Sequence, residues 1–213
     1  MPKEAPSHTK ICPASLNRIA ARINTTSETL QEIIDSPEKQ YYHFPIDKGN
    51  GHKRWIEAPR GALKKCQQML LHEILYNQKP HDAAHGFAPE RSILTNAKPH
   101  VGQKWVVSMD VSHFFSSTKE HLIRKVLKRY PSLNETEQNI MFLLVSKNKA
   151  LPQGAPTSPH LANLALLDFD LIISDFASQN ELNYTRYADD LTFSGESIPK
   201  NIVLVVKDRL NNL

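Results

Sequence analysis

Apolar residues recur along most of this chain at the spacing of one helical face. Leu16, Ile19, Ala20 and Ile23 define such a face within Pro13–Asn24. A second helix is predicted with Ser27 as its cap and Leu30, Ile33 and Ile34 turned inward. Gly61–Gln78 carries Leu63, Cys66, Leu70 and Ile74 on one side. From Lys119 to Arg129, Leu122, Val126 and Leu127 alternate with Arg124, Lys125, Lys128 and Arg129, which reads as a helix with a solvated basic face. Glu135–Ser146 turns Ile140, Leu143 and Leu144 inward. His160 to about Ala177 reads as one continuous apolar helix with Leu161, Leu164, Leu167, Leu171 and Ile172 packed inward, and Pro199–Leu213 as a last amphipathic helix.

The period changes in four places. Tyr41–Ile46 and His52–Ala58 are extended segments joined through Asn50-Gly51, a strong hairpin-turn signal. Trp105–Asp110 reads as a buried strand ending in a carboxylate. Leu182–Arg186 and Leu191–Gly195 flank Tyr187-Ala188-Asp189-Asp190 as the arms of a β-hairpin. Pro152, Pro156, Pro159 and Gly154 shape the loop 151–159, and Thr157 or Ser158 before Pro159 makes a helix start. Ser92 is a candidate cap for a short helix that stops near Pro99.

Composition sets limits without naming a chemistry. With 213 residues, 40% hydrophobic and 23% charged, the chain belongs with soluble globular proteins of one or two domains. A net charge of +4 favours an anionic partner, and so does the pI near 9.0. Cys12 and Cys66 form neither a disulfide framework nor a zinc-knuckle spacing, which fits a reducing compartment. Met1–Lys10 lacks the apolar core of a signal peptide and no run reaches the length of a membrane span, so a cytoplasmic protein is expected. His81 and His85 have a helical metal-ligand spacing, but Gly86 argues against a helix there and a structural role is expected.

Adjacent carboxylates at a tight turn repel each other, so Asp189-Asp190 is either a solvated turn or a site for a hard cation. Lys53 and Arg54 suit phosphate contacts or the charged protection of an edge strand. A fold that pairs the strand ending at Asp110 with the Asp189-Asp190 hairpin would let carboxylates from both hold two Mg²⁺ ions roughly 3.5–4 Å apart.

At this point the residues resemble a family. Tyr187-Ala188-Asp189-Asp190 is similar to the Y-x-D-D motif of reverse transcriptases. Asp110-Val111-Ser112-His113-Phe114-Phe115-Ser116 resembles their first catalytic motif, and 151–159 the loop and helix start beside the incoming nucleotide. Arg54, Ile56 and Pro59 with Leu63-Lys64 look like the fingers motif. Asn96-Ala97-Lys98-Pro99-His100 matches an N-A-x-x-H element of the bacterial retron type. These matches run in order from Arg54 to Gly195.

The resemblance implies an α+β right-hand polymerase with an antiparallel palm sheet: an N-terminal helical extension (1–40), then fingers and palm (41–213). Fingers would occupy about 41–104 and 116–155, palm about 105–115 and 156–213. It implies RNA-directed DNA polymerisation with two Mg²⁺ ions, an RNA template with primer duplex, dNTP substrates, a retron effector protein as a further partner, and a role in phage defence. Asp110, Asp189 and Asp190 become catalytic and, with the Val111 carbonyl, metal ligands. Arg54, Arg91, Phe115, Gln153 and Gly154 become nucleotide-binding, with Phe115 excluding a 2′-hydroxyl under the sugar. Asn96 and His100 become RNA-binding candidates, or a network that holds their short helix. Few residues follow Gly195, so a chain without the family's helical thumb is expected. The alternatives are a catalytically impaired RNA-binding module and a group II intron-type maturase fragment.

Overall fold

The computed structural model describes residues 11–47, 49 and 51–213. Met1–Lys10 and Asn50 of the expected turn lie outside the described residues. In chain order the elements are α1 (Pro13–Arg22), α2 (Ser27–Asp35), β1 (Tyr41–Asp47), β2 (Lys53–Pro59), α3 (Gly61–Glu73), α4 (Ile93–Ala97), β3 (Trp105–Asp110), α5 (Phe114–Ser117), α6 (Glu120–Leu127), α7 (Glu135–Val145), α8 (Ser158–Ala165), α9 (Leu167–Gln179), β4 (Asn183–Tyr187), β5 (Asp190–Gly195) and α10 (Ile202–Asn211). Both sheets are antiparallel: β1 pairs with β2, and a three-stranded sheet runs in the order β3-β5-β4. This is the expected α+β class.

The apolar faces of α1 and α2 bury Leu16, Ile19, Ala20, Leu30 and Ile33 against α7, with α2 also meeting α3. Thr26, not Ser27, caps α2: its backbone is extended, and its hydroxyl accepts the Thr29 N–H. The apolar run from His160 is two helices rather than one. Leu166 leaves helical geometry at φ −90°, ψ 6°, which re-phases the buried face. Phe169, Ile173 and Ala177 turn inward, whereas Leu171 and Ile172 are 49% and 44% exposed. The strand expected to be buried, β3, is an edge strand, so Trp105 and Val106 remain exposed. Among the described residues no helix is long and apolar enough to cross a membrane.

Sheet register sorts the side chains. Asp110 lies opposite Asp190 and Ser108 opposite Thr192; Tyr187 lies opposite Asp190 and Thr185 opposite Thr192. Directly opposite residues share a face, so one side of this sheet is polar. The alternate positions, Leu191 and Phe193 beside Arg186 and Tyr184, form the inner face. Leu191 and Phe193 are fully buried, each contributing about 1.5–3 kcal/mol. The polar face therefore emerges at the strand end where the acidic residues stand.

Candidate active site

Three acidic residues meet at that end. Asp110 closes β3 and Asp190 opens β5 as its direct cross-strand partner. Asp189 occupies the turn between β4 and β5, and its carbonyl accepts the Val111 N–H at 2.9 Å. Burial, then the Asp189 and Asp110 charges, push the Asp190 carboxyl up from its ordinary value. A cation beside the cluster would relieve that repulsion, and carboxylate and carbonyl oxygens suit a hard divalent ion. Among the described residues no three His, Cys, Asp or Glu side chains converge around one point. The remaining ligands would thus be backbone, water or phosphate oxygens.

The chain leaves Asp110 through His113, in the left-handed region at φ 55°, into the short helix α5. Phe114 is buried and Phe115 half-buried, their rings edge-on at 5.2 Å. Phe87 lies 6.4 Å from Phe115, half-exposed. This second aromatic was not anticipated.

Behind the turn lies a network that was also not anticipated. Arg186 is fully buried and forms a bidentate pair with Asp170, at 2.9 and 2.6 Å. Its Nη1 donates to the Ala188 carbonyl and to Asn163 Oδ1, both at 2.9 Å. Asn163 Nδ2 in turn donates to the Gly86 carbonyl at 2.8 Å, and the Tyr184 hydroxyl donates to Asp170 at 2.8 Å. Burial opposes the charge on Arg186, but the Asp170 carboxylate outweighs it and raises the guanidinium pKa. From the other side, His85 N–H donates to the Arg186 carbonyl and Arg186 N–H to the Ala83 carbonyl, both at 2.7 Å. The signal was present in the sequence: Arg186 sits at an inward parity of its strand, and Asp170 interrupts an apolar helix. Charged residues enter such positions only when paired.

The other predicted residues fall into separate places. Arg54 is exposed on β2. The Gln153 carbonyl accepts the Glu57 N–H of the same strand at 2.7 Å. Gly154, at φ +116°, packs so close to β2 that a Cβ would lie 2.7 Å from Ile56 Cγ2. These three form one group with the β1–β2 hairpin. Arg91 is half-buried against its own loop: its Nη1 donates to the carbonyls of His81, Asp82 and Ala84, and its Nη2 pairs with the exposed Asp82. Its Nε and the second Nη2 N–H have no partner among the described residues and stay open to a phosphate.

His100 lies on the polar face of the sheet, its ring bridging Ser194 Oγ at 2.6 Å and Thr185 Oγ1 at 2.8 Å. Burial lowers its pKa and favours the neutral ring. The Asn96 carbonyl accepts from Thr185 at 3.4 Å. Both residues thus brace the hairpin in this structure. His81 accepts the Ala83 N–H and His85 meets the Thr95 hydroxyl, which is the structural role expected of them.

Comparison with known proteins adds lineage to this geometry. Residues 46–213 match the family described as reverse transcriptase (RNA-dependent DNA polymerase). The chain is 38% identical over 172 residues to the Retron Mx162 reverse transcriptase of Myxococcus xanthus, covering 72% of this chain and 35% of that protein. To the Retron Ec86 reverse transcriptase of Escherichia coli it is 36% identical over 194 residues, covering 89% of this chain and 58% of that protein. The chain thus spans well under two thirds of the length of these curated relatives. The matched span contains the acidic sheet end, the aromatic pair and the 151–159 loop, and on that basis the chain belongs to the reverse transcriptase family, in its retron type.

Proposed function

We propose that this chain is the fingers (about 41–104 and 116–155) and palm (about 105–115 and 156–213) of a retron-type RNA-directed DNA polymerase, preceded by a helical extension (1–40). The observation that carries the reading is the cross-strand pairing of Asp110 with Asp190 beside the Asp189 turn. Asp110 and Asp189, with the Val111 carbonyl, would hold Mg²⁺, and Asp190 supports them. When bound, two Mg²⁺ ions supply charge neutralisation for an in-line phosphoryl transfer. In that reaction the primer 3′-hydroxyl oxygen loses its proton to solvent and bonds to the α-phosphorus of a dNTP, and the bond to the β-phosphate oxygen breaks as pyrophosphate leaves.

Phe115 would pack under the sugar, where its ring leaves no space for a 2′-hydroxyl. Gln153 and Gly154 let the backbone approach nucleotide and template, and Arg54 places a cation toward phosphate. Arg91 contributes by fixing the 81–84 loop, and Asn96 and His100 by bracing the hairpin under any RNA laid on their helix. A structured RNA as template and primer source, a retron effector partner and a part in phage defence rest on the resemblance to retron enzymes alone. A second reading, an RNA-binding module without catalysis, draws on the net charge of +4, which favours an anionic partner whether or not chemistry follows.

Primer extension on an RNA template with Mg²⁺, comparing this chain with Asp110→Asn, separates the two. The polymerase reading expects incorporation by the parent and a loss of about 10³-fold or more in the variant, with RNA retention on filters unchanged. Tight RNA retention with no incorporation by the parent would establish the second reading instead.

A further inference from the structure

We propose that Arg186, held by Asp170 and Asn163, is the positioning residue that fixes the Ala188-Asp189 turn against the Gly86-Phe87 loop. For its catalytic consequence this rests on the polymerase reading; for its geometry it does not. The turn has few bonds of its own. Ala188 is in the left-handed region at φ 57°, a conformation that costs a non-glycine residue about 1–2 kcal/mol. Something must therefore hold it.

The buried guanidinium supplies that hold. One nitrogen, Nη1, reaches both the Ala188 carbonyl and Asn163, while Nε and Nη2 are fixed by the two Asp170 oxygens. Asn163 passes the connection to the Gly86 carbonyl, one residue before the aromatic that faces Phe115. One rigid fork thus sets the second carboxylate of the site and the loop opposite it. A planar group with donors on several edges is needed for this; an ammonium could neutralise Asp170 but could not also span to Ala188 and Asn163. Asp170 is thereby a support of the fork, and Tyr184 a support of Asp170.

The test is Arg186→Lys in the full chain, which keeps the buried charge pair and removes the fork. The primary measurement is amide hydrogen exchange at Val111, whose N–H is bound to the Asp189 carbonyl, against Ile140 in α7 as a reference. Loss of a charge-assisted hydrogen bond behind the turn should speed Val111 exchange by about tenfold relative to Ile140. In primer extension, kcat should fall by about 10²-fold from displacement of the turn, and the Mg²⁺ concentration for half-maximal rate should rise. The proposal is overturned if Val111 exchange and Mg²⁺ half-saturation both match the parent, or if all amides accelerate together and the rate follows the folded fraction. A parent chain that incorporates no nucleotide would sink the polymerase reading, while the Val111 measurement would still decide the positioning role. Should Arg186→Lys not fold, Asn163→Ala leaves the ion pair intact, removes the Gly86 connection, and is judged by the same two readouts.

Discussion

Replacing Gly86 with alanine perturbs the acidic turn through a single atom. Gly86 lies outside the left-handed positions of this chain, so its backbone accepts a side chain and only the contact matters. An added Cβ would lie 2.5 Å from the Ala188 nitrogen, 3.1 Å from the Tyr187 carbonyl carbon and 3.3 Å from the Ala188 Cα. All are backbone atoms, which cannot rotate away. Reaching ordinary contact at 3.4 Å requires the loop and the turn to separate by about 0.9 Å. Overpacking of this kind costs about 1–3 kcal/mol. The loop side is pinned by the bonds from Asn163 and His85, so the turn yields at least part of the distance. A shift approaching 1 Å in a group next to Asp189 lowers a positioned reaction by about 10²-fold. Single-turnover incorporation at saturating dNTP, beside a thermal melt, measures both effects. Parental melting temperature together with parental rate would refute the close approach. A lowered melting temperature with an unchanged rate per folded molecule would refute the link from Gly86 to the turn.

Phe115→Ala should raise incorporation of ribonucleotides relative to deoxyribonucleotides by about 10–200-fold, the discrimination that an apolar pocket exerts over one small group; competition assays with paired nucleotides check it. Arg91→Lys should lower the melting temperature by loosening the 81–84 loop, at about 1.5–3 kcal/mol for a lost charged hydrogen bond, while the dNTP KM stays at the parental value; a rise in KM without destabilisation would instead place Arg91 on the triphosphate. For Asp190 the folded pKa lies above its ordinary value, so the folded state binds its proton more readily than the unfolded chain does. Its carboxylate therefore lowers stability as pH rises through the folded pKa. Asp190→Asn should melt higher than the parent at pH 7 in Mg²⁺-free buffer, with the gap closing under acid; a lower melting temperature at pH 7 contradicts the assigned repulsion.

Where a pattern had only to report burial, the sequence was legible. Leu63, Cys66, Leu70 and Ile74 are buried as their spacing predicts, and Ser92 caps α4 as its residue type predicts. The hairpin arms read correctly because Leu191 and Phe193 alternate with Thr192 and Ser194, and that alternation is the two faces of the sheet. Errors arose where tertiary context decides. No local signal marks the break at Leu166, because an apolar residue suits either a continuous helix or a corner between two. Trp105 and Val106 have strand propensity, but only the strand order makes β3 an edge. The immediate partners of Arg91 and His100 were not legible, because a cation or an imidazole looks the same in sequence whether it faces a ligand, carbonyls or hydroxyls. Arg186 closes a hairpin arm at the same parity as Tyr184, and that inward parity was the clue to a buried partner.

Three of the eight left-handed non-glycine residues among the described residues stand at this site. Phe87, His113 and Ala188 take left-handed φ values of 58°, 55° and 57°, and they belong to the three segments that meet around the acidic end. Each conformation costs on the order of 1–3 kcal/mol and persists only where surrounding structure over-determines it. Fixed partners stand beside each one: the Ala188 carbonyl is bound by Arg186, the Gly86 carbonyl before Phe87 by Asn163, and the His113 carbonyl by the Ser117 N–H at 2.8 Å. A flexible site would have relaxed these residues or placed glycine there. On the proposed polymerase reading, strain held by rigid partners would set the carboxylates before substrate arrives, the condition for electrostatic stabilisation without reorganisation. Substitutions in the supporting network should accordingly lower the rate by displacing the turn while leaving nucleotide affinity nearly unchanged.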